Sequence, residues 1–199
     1  MKFNFDGLSI ILLILIIIVS YRMYKNSDTF QLKCIVSDVD GRKYCVRERE
    51  KVDAAADRLA EVNRKLVKLV NYCNKNNPDD ERCIRLQKKF NPKKLVETLP
   101  TSEYTAYSEN KGEKLAFCLD KKKNSTNNLI DINTLTYVAI HELAHICTIS
   151  IGHTPEFWEN FKFLLVQAKA AGLYNPVDYK NKPGEYCGMP ITDNPYYDK

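Results

Sequence analysis

Histidine is scarce in this chain. There are three in 199 residues, and all fall inside one short stretch, "HELAHICTISIGH", as His141, His145 and His153. No histidine elsewhere can compete as an imidazole ligand. Long runs of like charge are also missing, and the formal net charge is only +5. Nothing in the charge pattern therefore calls for a nucleic-acid partner, and no specific nucleic-acid binding is expected. No internal repeat is present, which excludes a solenoid or array. The apolar N-terminal run "LSIILLILIIIV" has no polar face, which argues against a buried core helix. It is followed by no small-x-small cleavage site, which argues against a removed signal peptide.

What is there begins with that run. Its Leu and Ile residues each favour the bilayer centre by roughly 0.3 to 0.6 kcal/mol, so residues 8–24 are expected to form a single membrane anchor, with Asp6 and Arg22 at the two interfaces. Orientation stays open. Lys2, Arg22 and Lys25 tilt the charge bias weakly toward a cytosolic C-terminal part, whereas seven cysteines point to an oxidising compartment. Two pairings suggest themselves. A four-residue loop Asp38–Gly41 would set Cys34 opposite Cys45 across a hairpin, and Cys73 and Cys83 flank a Pro-bearing turn between two helical patterns. The alternative is buried thiols, because spacing does not fix connectivity.

After the anchor, "QLKCIVSDVDGRKYCVRE" alternates as a β-hairpin should. Val52, Leu59, Leu66 and Cys73 then recur every seven residues with Ala55, Val62 and Leu69 between them, the seam of a long helix. A second helix is expected over Glu81 to Phe90 and a third from "NPKKLVETL", with Pro92 in its first turn. A helical hairpin covering its own seam is favoured over dimerisation, and the oligomeric state is left open. Strands are expected near Glu103 to Ser108 and Lys114 to Leu119 around a Gly-bearing turn. Asn124-Ser125-Thr126 matches a glycosylation acceptor, relevant only to a lumenal domain. Asp131 or Asn133 caps a buried helix carrying His141 and His145. Pro155 opens and Gly172 closes a second, and the proline-rich tail wraps the whole. Composition shifts near 26–32 and 99–104 bound three regions: 1–28, 29–99 and 100–199.

Residues four apart lie on one face of a helix, so His141 and His145 can aim at one ion while Glu142, about 100° around, reaches a water on it. Imidazole ligands and an open position suit Zn2+, which lowers the pKa of that water to about 7 and leaves Glu142 to act as general base. His153, returning after Gly152, is the expected third ligand, with Glu156 and Glu159 as rivals. Two histidines and a glutamate on an otherwise apolar helix would be costly without a metal.

The pentad "HELAH" followed by "GHTPEFW" resembles the zinc metallopeptidase-like families of the SprT and WLM type and the YgjP-type predicted metal hydrolases. The block from "NTLTYVAIHELAHICTISIGHTPEFWENFKFLL" through "NPVDY" to "YCGMPITDNP" looks more closely like predicted membrane-anchored metallopeptidases of large nucleocytoplasmic DNA viruses. The resemblance covers about residues 105 to 195 and leaves the N-terminal helices unmatched. It implies His141, His145 and His153 as zinc ligands, Glu142 as base, and Phe157 and Trp158 packed under the third ligand. A metzincin is not supported: no glycine stands two residues after His145 and no distal Met-turn follows.

The expected fold is therefore α+β: an N-terminal transmembrane helix, a helical hairpin, and a zincin-like, minimal metalloprotease domain with a small antiparallel sheet and an active-site helix. The expected function is a membrane-anchored, zinc-dependent metallopeptidase of a virion or host internal membrane, hydrolysing a protein or peptide substrate with a metal-bound water and Glu142 as general base. A non-peptidase metal hydrolase is the first alternative. A structural virion membrane protein with a vestigial zinc site is the second, though an intact Glu142 speaks against it. Lys114 to Leu119 is the candidate for pairing with substrate, and Tyr186, Asp178 or Asp193 for stabilising an oxyanion or orienting a histidine.

Overall fold

Apolar residues without a polar partner face give the first helix, α1 (Gly7–Lys25), which runs through the whole N-terminal apolar segment. In the computed structural model, which describes residues 7–25, 32–123 and 128–198, none of Gly7–Tyr24 is buried against the rest of the chain. By length and composition this helix is able to cross a membrane. The glycosylation acceptor at 124–126 and the N-terminal charges at Lys2 and Asp6 lie outside the described residues.

Strands β1 (Leu32–Val36) and β2 (Lys43–Arg47) form the expected antiparallel hairpin, with Cys34 opposite Cys45 and bonded to it. The Ser37 amide donates to Arg42 and the Gly41 amide to Ser37. The loop is thus the four residues Asp38–Gly41, and Gly41, at φ 69°, takes the left-handed conformation the reversal needs. Helix α2 (Val52–Asn76) buries Ala55, Leu59, Val62, Leu66, Leu69 and Cys73, the seam read from the sequence. That seam is covered within the chain by α3 (Glu81–Lys89), by the sheet and by the helices that follow. Asp80 caps α3 by accepting from the Arg82 amide at 2.8 Å. No bridge joins Cys73 and Cys83. Both are free buried thiols held neutral, burial being the first cause that raises their pKa.

The stretch "NPKKLVETL" is not a helix. It carries strand β3 (Leu95–Glu97), paired in parallel with β2 on one side and with β5 (Lys114–Phe117) on the other. Local propensity favoured a helix, but two partner strands on both sides satisfy this backbone better than its own turns would. The sheet order is β1-β2-β3-β5-β4, with β4 (Ala106–Glu109) antiparallel to β5 at one edge. The small antiparallel sheet expected is instead a five-stranded mixed one, and the composition shift near 99–104 falls between strands of that single sheet. Helix α4 (Ile132–Cys147) carries the histidine pair and packs on α2, α3, α5 (Pro155–Ala170) and β4. Asp131 caps α4 through the Thr134 amide at 2.9 Å, while Asn133 clasps the backbone of Asn175.

The tail is more structured than an extended wrap. Strands β6 (Gly184–Tyr186) and β7 (Met189–Ile191) form a hairpin whose two turn residues, Cys187 and Gly188, are both left-handed, with φ of 52° and 81°. A disulfide from Cys118 to Cys187 ties this turn to the end of β5. Its partners are 69 residues apart, and spacing gave no hint of it.

At the ends of β2 and β3 lies a buried charged group that the sequence did not reveal. Arg49 donates to Glu97 and, at 2.9 Å, to Asp120; the Arg47 amide donates to Glu97 at 2.7 Å. The Arg47 guanidinium reaches the Thr98 and Lys123 carbonyls, both at 2.6 Å. Glu97 and Asp120 are fully buried. Desolvation raises the Glu97 pKa, and Arg49 is the first group opposing that rise. Removing one partner of such a set leaves an unpaired buried charge. Arg49→Ala should cost about 3–5 kcal/mol in chemical denaturation; a loss below about 1 kcal/mol, as for an exposed pair, would show that the group contributes little.

Candidate metal centre

One turn of α4 separates His141 from His145, and the chain then has to reverse to bring back His153. Gly152 makes the reversal at φ 86°, in open space, so it is the backbone conformation rather than room that demands glycine. The three imidazoles meet: their ligand atoms all lie within 4.8 Å of one another, with His141 Nε2 and His153 Nε2 3.0 Å apart. Burial, then the neighbouring histidines, lowers the His141 pKa to about 3. Burial, then His153 and Lys111, lowers that of His145 to about 4. Both rings are neutral at pH 7 and offer lone pairs, a donor set that fits a divalent metal ion. The Phe157 ring lies 4.8, 4.3 and 4.7 Å from the rings of His141, His145 and His153, so it backs the whole triad and not the third histidine alone. Trp158 tilts on His153 at 5.8 Å.

The segment between α4 and His153 is gripped from two sides. Lys111 Nζ, from the β4–β5 turn, donates to the carbonyls of Thr148 and Ser150 at 2.8 Å each. Arg85 Nε donates to the Cys147 carbonyl at 2.6 Å, so two cations sit at the C-terminal end of α4, where the helix dipole favours them. From the other side Glu156 accepts from the amides of Ile149 and Ser150, at 2.9 and 3.1 Å, and from the Ser150 hydroxyl at 2.7 Å. These hydrogen bonds, the Ile149 amide first, pull the Glu156 pKa down to about 2. Glu156 is therefore committed to the loop and Glu159 is exposed on α5, and neither joins the triad.

Glu142 lies beside the histidines and is 5% exposed. It lines a cleft of about 380 Å³ together with His141, His153, Tyr186, Val138 on α4, the Glu103–Ala106 segment and Met189–Ile191 of β7. Burial pushes its pKa up to about 8. Tyr186 donates to the Thr105 carbonyl at 3.2 Å and so fixes the segment entering β4. The other two tail candidates lie away from the cleft. Asp178 accepts from Lys180 and Asn181 in an exposed turn, and Asp193 pairs with Lys180. Lys114 to Leu119 is not free to take a substrate strand, because β5 is paired on both sides. Among the described residues the sheet ends in β1 on one side and β4 on the other, and it is β4 that borders the cleft, through Ala106.

Lys111, Arg85 and the β7 wall were not found in the sequence. Only "TPE", an acidic residue in a first helical turn, could have signalled that Glu156 serves nearby amides. The turn signal in "YCGM" was present for β6–β7.

Along almost its full length the chain is similar to an uncharacterized protein of Acanthamoeba polyphaga mimivirus, at 29% identity over 194 residues, 94% of this chain and 95% of that one. Shorter similarities link it to an uncharacterized protein of Invertebrate iridescent virus 6 and to one of Invertebrate iridescent virus 3. The first is 38% identical over 32% of this chain and 35% of the relative, the second 43% identical over 30% and 36%. No family model matches the chain. No solved structure matches it either.

Replacing Glu156 by Gln should loosen the return loop and weaken metal uptake by about 10–100-fold, measured by competition with a chromophoric chelator; unchanged affinity would show that the loop needs no clamp. The folded pKa of Glu156 is depressed, so its contribution to stability is present above the ordinary carboxylate value near 4.5 and is lost as pH falls toward about 2. The wild-type and Glu156→Gln denaturation curves should therefore converge in that acidic window.

Proposed function

We propose that the protein is a zinc-dependent metallopeptidase anchored in a membrane by α1. The observation that carries this reading is the convergence of His141, His145 and His153 with Glu142 buried in the same cleft, where among the described residues no cation pairs with it. A purely structural three-histidine site has no use for such a carboxyl group, which is costly to keep. The resemblance of "HELAH" and "GHTPEFW" to SprT-, WLM- and YgjP-type sequences supports the same reading. Similarity to viral proteins supports a setting on a virion or a host internal membrane.

His141, His145 and His153 would hold Zn2+, which when bound supplies Lewis acidity and lowers the pKa of water to about 7. Burial pushes the Glu142 pKa up to about 8, and beside a loaded histidine triad Glu142 would serve as the base. It then takes a proton from the attacking water. Its buried surroundings equally favour giving that proton to the leaving amide nitrogen, so one residue serves both steps. The substrate is an extended peptide running past Glu142 beside β4, the edge strand that borders the cleft.

Glu142→Gln should leave zinc content unchanged and reduce peptide hydrolysis by about 10²–10⁴-fold. Metal analysis and cleavage of a peptide library by the full chain check both halves. Full retention of cleavage in this variant would remove Glu142 from the chemistry. A wild-type chain that holds zinc and cleaves no peptide would favour a structural role.

A further inference from the structure

The pairing of the sheet fixes where the cleft lies relative to the anchor. Seven steps of the chain lead from Lys25, the last residue of α1, to Leu32, the first of β1, and they span at most about 25 Å. Leu32 lies opposite Arg47, whose guanidinium donates to the Thr98 carbonyl. The Thr98 amide donates to Phe117, and Phe117 lies opposite Ala106. This row of partners crosses the whole sheet, so Ala106, on the cleft, is at the same end as Leu32, four strand spacings or about 19 Å away. The β6–β7 hairpin joins that end as well, through Tyr186 on the Thr105 carbonyl and Cys187 on Cys118. The opposite end holds Val36, Glu109 and the Lys111 turn, with the loop after α4 gripped against it. Helix α4 runs from the first end to the second: the Ile130 amide, just before its cap, donates to the Leu119 carbonyl, and the residues after its last turn meet Lys111.

We propose that the domain stands on the bilayer by its Leu32 and Ala106 end, so that the cleft opens at the membrane surface and the substrate is a membrane-proximal segment of another anchored protein. The inference takes from the proposed function that α1 lies in a membrane and that the bound peptide is cleaved. To turn the domain over, the Leu32 end would have to stand above the whole of α4, which is 16 residues or about 24 Å long. That clearance uses the full reach of the connection and holds every residue of it extended, which chain entropy opposes. Exposed charges at this end are of both signs, Lys121 and Lys122 against Glu48 and Glu50, so the length of the chain and not its charge sets the orientation. From the end of the anchor to the cleft the reach is about 45 Å. A scissile bond held further than that from the bilayer is out of range. One that leaves the same bilayer within that distance meets the cleft at the effective concentration of a tethered reactant.

The test uses the full chain in lipid nanodiscs with a gadolinium chelate on a small share of the headgroups. Methyl resonances of Met189 and Ile191 at the cleft should broaden several-fold more than those of Val36 and Ile149, which are exposed at the opposite end. Equal broadening at the two ends, or more at Val36 and Ile149, overturns the orientation. In liposomes, the zinc-loaded chain is then offered a degenerate peptide library on a transmembrane stem, held off the bilayer by a rigid helical spacer of about 20 or about 90 Å. The nearer display should be cleaved at least about tenfold faster than the farther one. A helical spacer of about 70 Å inserted between Lys25 and Leu32 should reverse that preference. Equal rates at both distances, or a preference the insertion leaves unchanged, overturn the substrate class. The broadening gradient with no cleavage at either distance would sink the peptidase reading and leave the orientation standing. Equal cleavage at both distances without a gradient would do the reverse.

Discussion

Three imidazoles can share one point only if the chain doubles back after α4, and that reversal is what the rest of the centre depends on. A helix supplies His141 and His145 at no conformational cost beyond its own formation. His153 arrives by a loop, which must be held against its own entropy, of the order of 1–2 kcal/mol per fixed residue. The protein holds it by charge: Lys111 on the carbonyls and Glu156 on the amides grip opposite sides of the same few peptide groups. Thr148 adds a third attachment, closing α4 through the Ala144 carbonyl and accepting from Asn160 of α5. Phe157 then fixes the spacing of the rings from below.

Electrostatics inside the domain follow one pattern, in which buried polar groups are spent on joining elements distant in sequence. Arg47, Arg49, Glu97 and Asp120 join the ends of β2 and β3 to the segment after β5. Asn194 joins the tail to Tyr174 and Val177. Glu142 stands apart from this pattern, because burial raises its pKa and no ion pair to it is formed among the described residues.

What could be read from the sequence was whatever is written in local periodicity. The seven-residue recurrence from Val52 to Cys73, the four-residue step from His141 to His145, the Asp38–Gly41 reversal and the helix opened at Pro155 all reappear in the fold. What escaped was set by distant partners. β3 reads as a helix until β2 and β5 are known to flank it. Cys118 finds Cys187 across the tail, while the nearer pair Cys73 and Cys83 stays reduced. The edge strand, β4 rather than β5, is a property of sheet order, which no stretch of sequence states. Within the site, the histidines were legible and their support was not. A lysine in a turn looks like any solvated charge until its ammonium is seen on the carbonyls of Thr148 and Ser150.

The turn that carries Lys111 is itself unusual. Asn110 and Lys111 are both left-handed, with φ of 47° and 55°, and Gly112 follows at 110°, so close to α3 that a Cβ there would come within 2.7 Å of the Lys89 carbonyl. Only one residue, Asn110, separates Lys111 from the end of β4 at Glu109. The edge strand β4 and the loop that carries His153 are thus linked through this one short turn. Through the Lys111 ammonium, the position of β4 therefore bears on the loop before His153, which Glu156 holds from the opposite side.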